Sequence, residues 1–253
     1  MRVEPRGSCC GASWAGYESF FVRAFDPAGR RALWLRQTFL WRARGEPLGS
    51  AWLTWFDGER SQVLQARDTQ PVAQLRPGLV VAAEARLWEK EGTLQLEGRC
   101  PRLTAEEAAA QPEGFVDRAA GNLNERRQGA SRDASSIVRW QLAVRPLESP
   151  ARPLSPSFLY RTPFPRAKTE TPVPWGSMSG TVSIGDEPPL ELREWPTMLG
   201  HNWGSEHAPI WAWTYVPLQE ERGEAEGEVS GAPPSGWLEL VVRRHAARSG
   251  RRW

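Results

Sequence analysis

The sequence is poor in several features that commonly mark a function. No apolar run reaches the roughly 18 residues of a membrane-spanning helix, and the first twenty residues lack an apolar stretch of signal-peptide length. The three cysteines, adjacent Cys9 and Cys10 and isolated Cys100, match neither a disulfide framework nor a zinc site. We therefore expect reduced thiols, a cytoplasmic location and no transmembrane segment; peripheral membrane contact and the oligomeric state stay open.

The sequence also has no large excess of charge of one sign. The 32 basic residues nearly balance the 30 acidic ones, which leaves a net charge of +2 and gives no field that favours a nucleic-acid partner. Only two of the basic residues are lysines, and we expect the isolated Lys168 to be solvated. What the chain does hold is tryptophan, 14 residues in all. Because each indole carries a large apolar surface and one N–H, this number predicts either a demanding core or an aromatic-lined cavity.

Helical periodicity is nearly absent. One short helix is expected at Thr104–Ala110, with Thr104 as its N-cap. Elsewhere, short runs of apolar and aromatic residues are broken by Gly, Pro or Asp, a pattern typical of strands joined by tight turns. The expected strands are Tyr17–Phe25, Arg31–Trp41, Ser50–Asp57, Gln62–Arg67, Val80–Trp88, Thr93–Arg99, Ile137–Val144, Ser157–Arg161, Met178–Ile184, Ile210–Val216 and Trp237–Arg243. This pattern predicts an all-β, antiparallel barrel or sandwich.

Polar and proline-rich stretches divide the strands into two groups. The segment 111–136 has loop composition, and Pro146–Pro174, with eight prolines, predicts an extended connection. We therefore expect one barrel over residues 12–145 and a second over 157–253. The acidic, then Gly/Pro-rich loop 219–236 and the arginine-rich tail 244–253 are expected to be disordered. Since only fifty residues follow Trp203, the second barrel is expected to be incomplete.

The first strands are apolar on both faces, which indicates one face toward a packed layer and one toward an interior space. Such a space is filled by side chains in a small barrel and holds a ligand in a larger one. Glu18 and Arg36 lie amid these apolar residues, where an unpaired charge is costly. Two interpretations stay open: they pair with each other and line the cavity, or they lie on the outer barrel face.

The densest chemistry lies in residues 200–207, GHNWGSEH, which hold two of the three histidines. An extended backbone would place His201, Trp203, Ser205, His207, Trp211, Trp213 and Tyr215 on one side. Metal binding is one interpretation, but the spacing matches no zinc pattern, and no nucleophile elbow supports a Ser–His–acid hydrolase. A second is alkene protonation by a histidine or carboxyl group, with indoles stabilising the carbocation. In a third, His201 and Asn202 tie a tight turn and Trp203 plugs the barrel end.

The run WPTMLGHNWGSEHAPIWAWTY, residues 195–215, resembles the signature of the hydroxyneurosporene synthase family. That lipocalin-like group is also similar to tocopherol cyclases and some bacterial Diels–Alderases. GYESFFVRAFDP (16–27), RALWLRQTFL (31–40), SAWLTWFD (50–57) and SGTVSIG (179–185) resemble other parts of the family. The resemblance implies tandem lipocalin-like antiparallel β-barrels with an apolar ligand site at or between them. It also implies chemistry on polyenes and prenyl lipids, hydration or cyclisation, without cofactor or metal.

Carried onto this chain, the resemblance gives His201 and Trp203 a part in alkene protonation. We expect Glu206 to assist a histidine, and the ligand to be bound by a further set of side chains. That set is Trp211, Trp213, Tyr215, His207, Arg36 and Glu18. The expected function is binding, with conversion, of a hydrophobic isoprenoid or polyene-like small molecule. The alternatives are a non-catalytic lipocalin-like carrier and a structural domain whose aromatic residues are all core.

Overall fold

The computed structural model describes residues 15–42, 44–72, 78–109, 136–205, 210–218 and 236–244; in the last two segments, side chains are described at 214–216 and 237–240. One short helix, α1 (Ala105–Ala109), and a 3-10 helix (Ser157–Arg161) accompany the strands of this part of the chain. The strands are β1 (Gly16–Phe25), β2 (Arg31–Trp41), β3 (Leu48–Asp57), β4 (Gln62–Pro71), β5 (Leu79–Ala82), β6 (Ala85–Lys90), β7 (Thr93–Pro101), β8 (Ile137–Pro146), β9 (Ala167–Ile184), β10 (Leu190–Gly204), β11 (Ile210–Leu218) and β12 (Gly236–Arg244).

The strands β1 to β10 form a single antiparallel sheet in the order β4-β3-β2-β1-β10-β9-β8-β7-β6-β5. The two ends of this sheet approach each other. Ala66 on β4 bridges to Arg102, which follows β7, and the Leu103 amide donates to the Gln65 carbonyl at 2.7 Å. The free thiol of Cys100 on β7 lies 3.5 Å from the Ala51 carbonyl of β3. The sheet is therefore a nearly closed barrel, and the all-β, antiparallel prediction is confirmed.

Turn chemistry at the strand ends matches the sequence. After β1, the Asp26 carboxylate accepts the Ala28 amide at 3.0 Å, and Gly29 takes a φ of +74°, which a residue with a side chain rarely adopts. At α1, the Thr104 hydroxyl accepts the Glu107 amide while the Glu107 carboxylate accepts the Thr104 amide, a reciprocal capping box. The predicted helix and its N-cap are thus confirmed.

Side chains alternate between the barrel interior and its outer face. On β1, Phe20, Val22 and Ala24 join the interior core, whereas Phe21 belongs to a separate outer cluster. The interior is filled mainly by aliphatic residues and tryptophans from all around the sheet. A cavity bounded by Phe20, Leu35 and Leu96, among others, measures about 10 Å³, which is room for about one water molecule.

The strands β11 and β12 pair with each other as a two-stranded ribbon. This ribbon packs on the outer face of the barrel, where Tyr215 joins the buried cluster of Phe21, Trp175 and Met198. The Tyr215 hydroxyl donates to the Pro174 carbonyl at 2.7 Å. The Thr171 hydroxyl donates to the Glu239 carboxylate at 2.7 Å. One wall of the barrel therefore has packed side chains on both faces.

Three sequence-based strand assignments need correction. Ser157–Arg161 is a 3-10 helix, in which the Leu159 amide bonds the Pro156 carbonyl instead of a neighbouring strand. Val80–Trp88 is two strands, β5 and β6, because the chain turns at Ala83 with a φ of +52°. The stretch 167–174, the end of the expected connection, belongs to the first half of the 18-residue β9. Since prolines 172 and 174 interrupt its pattern, the sequence did not mark it as a strand.

The strand β10, which holds the GHNWG run, was also not predicted. Register shifts interrupt its pairing with β9 between Leu192 and His201, so its residues do not alternate regularly along the whole strand. Both β9 and β10 come from the predicted unit 157–253, yet they complete the ten-stranded sheet by pairing with β8 and β1. The division into two barrels, at 12–145 and 157–253, stays a prediction. Residues 219–235 and 245–253, expected to be disordered, lie outside the described residues.

The filled interior makes a direct prediction about stability. Leu53 on β3 is fully buried, whereas Val63 on β4 is 61% exposed. We expect Leu53→Ala to lower the free energy of unfolding by about 2 to 5 kcal/mol, because it removes buried methyl groups and leaves a cavity. Val63→Ala, the matched control, should change it by less than about 0.5 kcal/mol. Urea titration followed by tryptophan fluorescence measures both, and equal effects would contradict the packed-barrel arrangement.

Candidate functional site

His201 lies on β10 with its side chain buried on the inner side of the barrel wall, 1% exposed. Both ring nitrogens have carboxylate partners. Nδ1 lies 3.0 Å from Oε1 of Glu170, and Nε2 lies 2.9 Å from Oε1 of Glu18. Both carboxylates are buried, Glu18 fully and Glu170 with 9% exposed. The three side chains form a continuous buried group, which we call the Glu–His–Glu triad.

Strand register positions the triad. β10 lies between β1 and β9, with His201 opposite Phe20 on one side and opposite Glu170 on the other. Glu18 precedes Phe20 by two residues and so projects from the same face of β1. Three neighbouring strands therefore each supply one member, although the sequence separates Glu18 from His201 by 183 residues.

Aromatic rings cover both faces of the imidazole. The Phe20 ring stacks on it at a centroid distance of 4.1 Å and an interplanar angle of 5°. The Trp203 indole stacks at 4.6 Å and 24°. Both rings exclude water, and an indole face attracts a cation through its quadrupole. The surroundings of His201 are therefore dry at the ring faces and polar only at the two nitrogens.

The segment between β8 and β9 closes this end of the barrel. Arg152 donates from Nε to Oε2 of Glu170 at 3.2 Å, and most of its side chain is exposed. Tyr160, on the 3-10 helix, lies 5.9 Å from Trp203 between ring centroids and donates its hydroxyl to the Thr169 carbonyl at 3.0 Å. The triad is therefore linked through Glu170 to a surface guanidinium.

Burial alone lowers the pKa of His201, but the hydrogen bonds from Glu170 and Glu18 outweigh it, and the pKa of His201 lies above its ordinary value. The raised pKa favours the protonated imidazolium, whose Nδ1 and Nε2 would each donate to one of the two carboxylates. The arrangement is a buried imidazolium with an aromatic neighbour. Chemically, it can hold a proton and pass it to either carboxylate.

The two glycines of the GHNWG run are explained by close approaches. A Cβ at Gly200 would lie 2.2 Å from the Phe21 ring. A Cβ at Gly204 would lie 2.1 Å from the carbonyl oxygen of Arg166, the residue before β9. That oxygen is a backbone atom, which cannot rotate away as a side chain can. Asn202, between them, faces outward, and its Oδ1 is buried without a hydrogen-bond partner. Because these residues lie in β10, the expected tight turn at His201 and Asn202 is wrong.

The structure separates the other predicted site residues. Glu18 joins the triad, whereas Arg36 lies on the outer face, donating from Nε to the Ser19 hydroxyl at 2.9 Å. Neither of the two interpretations left open holds for both residues, because Glu18 and Arg36 lie on opposite faces of the wall. Tyr215 also lies on the outer face, away from His201.

Several other predicted residues cannot be placed beside the triad. Trp211 and Trp213 belong to β11, and their side chains lie outside the described part of the structure. Glu206 and His207 lie outside the described residues altogether. The one-sided alignment expected from His201 to Tyr215 does not form, since those two side chains are on opposite faces of the barrel wall.

Sequence reasoning missed Glu170, Arg152 and Tyr160. All three lie in the proline-rich stretch interpreted as a connection. Lys168 was expected to be solvated, but it is 6% exposed and donates from Nζ to the Pro165 carbonyl at 2.8 Å. Burial lowers its pKa. The available signal was the alternation of Lys168 and Glu170 in KTETPVPW, which places two charges on one face of a strand.

The triad predicts a pH dependence of stability. Because the folded pKa of His201 is raised, its stabilising contribution is fully present below the unfolded pKa of about 6.5 and is lost as pH rises through the folded pKa. We expect the free energy of unfolding to fall over that window in the wild type. His201→Gln should remove this fall and lower the stability at acidic pH. A wild-type curve that rises through the window would contradict the charged triad.

The glycine contacts predict a difference between two substitutions. Gly204→Ala should destabilise the fold by about 1 to 3 kcal/mol in any background, because a backbone carbonyl occupies the Cβ position. Gly200→Ala should cost less when combined with Phe21→Leu, since the obstructing atoms belong to that ring. A double-mutant cycle by urea unfolding measures the coupling. Additive effects of Gly200→Ala and Phe21→Leu would contradict the contact.

Comparison with known proteins gives the fold. No protein-family model matches the chain, and no curated protein matches its sequence. An AttH-like protein from Nitrosomonas europaea superposes with a TM-score of 0.52 at 11% identity, over 86% of this chain and 62% of that one. CghA, solved in its complex with Sch210972, gives 0.45 at 11% identity, over 79% of this chain and 50% of that one.

The chain thus spans less than two thirds of the length of either structure. No described helix is long and apolar enough to cross a bilayer. At this level of identity the similarity establishes the fold alone, and the fold is a lipocalin-like antiparallel barrel. Assignment to the hydroxyneurosporene synthases stays a prediction.

Proposed function

We propose that the protein binds a hydrophobic, isoprenoid or polyene-like small molecule and converts it by protonating a carbon–carbon double bond. One observation carries this proposal: a charged imidazole, His201, is buried between two carboxylates and stacked on the Trp203 indole at one end of a lipocalin-like barrel. A proton donor that water does not reach, beside an aromatic ring, is what protonation of an alkene requires, because the resulting carbocation must be stabilised and kept from water.

The geometry favours a relay over direct protonation by the ring. Both nitrogens of His201 are bonded, and both ring faces are covered, so the imidazole does not present a free N–H. The group that gives the proton to the ligand is then the carboxyl of Glu18 or Glu170, with His201 restoring that proton. Trp203, at the edge of the triad near Tyr160, is the ring best placed to face the cation.

The cavity beside Phe20 and Leu35 does not have room for such a ligand. It measures about 10 Å³, far below the roughly 300 to 1,000 Å³ of small-molecule sites. We therefore place the ligand at the barrel end beside Trp203 and on the outer face beside the ribbon. Hydration and cyclisation remain the two outcomes, set by whether water or an internal hydroxyl captures the cation.

A non-catalytic carrier is the second candidate, and the closed contacts of the triad favour it. An imidazole with both nitrogens bonded and both faces stacked also serves simply to hold β1, β9 and β10 together. In that case the ligand is bound at the partly exposed aromatic edge of the outer cluster, Phe25, Trp34 and Trp237. Both candidates require a retained apolar molecule, and they differ only in turnover.

Native mass spectrometry of the purified protein tests binding, and incubation with polyenes and prenyl lipids in D₂O tests conversion. Protonation by the enzyme would leave one deuterium on carbon, with the mass of one water added for hydration and none for cyclisation. We expect Glu18→Gln and His201→Gln to lower the rate by about a hundredfold to ten thousandfold while a bound lipid is retained.

Glu97→Gln is the matched control, since Glu97 is an exposed carboxylate of β7 that bonds Arg86. It should leave both binding and turnover unchanged. If a lipid is retained but no deuterium is incorporated, the carrier function stands and the catalytic function is excluded. Absence of any bound or binding lipid would overturn both candidates. Circular dichroism of each variant checks that the barrel still folds.

A further inference from the structure

A row of cationic and aromatic side chains crosses the outer face of the first four strands. In register, Phe21 on β1 lies opposite Arg36 on β2, Arg36 opposite Trp52 on β3, and Trp52 opposite Arg67 on β4. In the next row, Arg23 lies opposite Trp34. We call Arg23, Trp34, Arg36, Trp52 and Arg67 the arginine–tryptophan face. It adjoins the outer cluster through Phe21 and Trp34.

Guanidinium groups and indoles alternate in contact on this face. The Arg67 guanidinium lies 3.8 Å from the centre of the Trp52 ring, and that of Arg23 lies 5.1 Å from the centre of the Trp34 ring. Arg36, between them, donates from Nε to the Ser19 hydroxyl at 2.9 Å. Among the described residues, no carboxylate forms an ion pair with Arg36. In the described part of the chain, the half-buried Arg36 guanidinium is thus hydrogen-bonded to one neutral hydroxyl.

The three guanidinium groups act on one another unfavourably. Burial lowers the pKa of Arg36 to about 10, with Arg67 lowering it further and Tyr17 opposing. Burial also lowers the pKa of Arg23 to about 10, with Arg36 adding to the effect and Glu239 opposing. Like charges brought together in a desolvated place destabilise the fold unless an anion joins them. The Glu239 carboxylate offsets this repulsion at Arg23, whereas Arg36 lies farther along the row.

The same face also holds buried polar atoms without hydrogen-bond partners. Among the described residues, the buried indole N–H groups of Trp34 and Trp52 have no acceptor, and neither the Thr38 hydroxyl nor Asn202 Oδ1 has a partner. Buried donors of this kind are rare in folded proteins, because each one left unpaired costs about 1 to 3 kcal/mol. Within this part of the chain, two indole N–H donors therefore lack acceptors, which a bound oxyanion would supply.

We propose that the arginine–tryptophan face binds the oxyanion head, a carboxylate or a phosphate, of an amphipathic ligand whose apolar chain lies on the partly exposed edge of the outer cluster. Arg36 presents a planar fork of donors to the head group. The chain then runs from Arg36 along Trp34 toward Phe25 and Trp237, which are only partly buried. This inference rests on the proposed function and gives its hydrophobic ligand a charged end.

Three ligands with one chain and different heads test the proposal: farnesol, farnesyl phosphate and farnesoic acid. Isothermal titration calorimetry with the full chain measures each affinity, and inorganic phosphate alone serves as the head without the chain. We expect at least one of the two anions to bind about tenfold or more tightly than the alcohol, since hydrogen bonds to charged groups are strong. Whichever of the two anions binds more tightly shows whether the site prefers a phosphate or a carboxylate.

Arg36→Gln should abolish that preference and leave the affinity for farnesol unchanged. Arg86→Gln is the matched control, because Arg86 is an exposed arginine of β6 paired with Glu97. Should Arg36→Gln fail to fold, Trp52→Phe keeps the ring but removes the indole N–H, and should weaken anion binding about two- to tenfold. Increasing salt should weaken binding of the anions and not of the alcohol.

The outcomes separate this inference from the proposed function. Equal affinity for the three heads, or a preference that survives Arg36→Gln in a folded protein, would overturn the anion site while hydrophobic binding stands. Binding of inorganic phosphate as tightly as farnesyl phosphate would contradict an amphipathic ligand. Failure of every isoprenoid to bind, with the protein folded, would count against both proposals.

Discussion

The structure depends on one buried charge held between two opposite ones. The His201 imidazolium bonds Glu18 and Glu170, and each partner comes from a different neighbouring strand. Removing His201 would leave two buried carboxylates without their shared cation, and breaking comparable buried pairs costs about 3 to 5 kcal/mol. The triad therefore ties the first strand of the chain to the last two strands of the sheet. Phe20 and Trp203 keep it dry, and Arg152 balances its outer carboxylate.

One wall of the barrel has two chemically different faces, because successive residues of a strand point to opposite sides of the sheet. Glu18 faces the triad, and Ser19, the next residue, accepts from Arg36 on the outside. On β10, His201 faces inward, and Asn202 faces the outer side with an unpaired oxygen. The cavity beside Phe20 and Leu35 has room for about one water molecule, so this part of the interior is filled by side chains. The proposed ligand positions are the barrel end and the outer face.

Much of the architecture could be read from the chain. The alternation in β1 to β3, the Asp and Gly turns and the Thr104 cap are local signals, and each produced the expected element. The partners of His201 could not be read in the same way, because they lie 31 and 183 residues away and only sheet register brings them together. The first half of β9 and the whole of β10 escaped prediction, since prolines, glycines and bulges break their period of two. Glu18 and Arg36 show the consequence. Both were correctly singled out as charges that are costly to bury, but their positions along β1 and β2 place them on opposite faces of the wall.

The two faces can act on one ligand even though the wall separates them. Arg36 is opposite Phe21, and Phe21 is opposite Gly200, so the head-group site lies two strands from the residue that precedes His201. At about 4.8 Å per strand this is roughly 10 Å, well within the reach of an isoprenoid chain. Under the proposed function, a ligand anchored at Arg36 has its reacting double bond at the edge of the wall near Trp203, where Glu170 contacts the surface through Arg152. The proposed catalysis requires that the double bond reach this edge, because a ligand on the outer face does not touch His201. Under the same proposal, a chain too short to reach the edge would be bound and not converted.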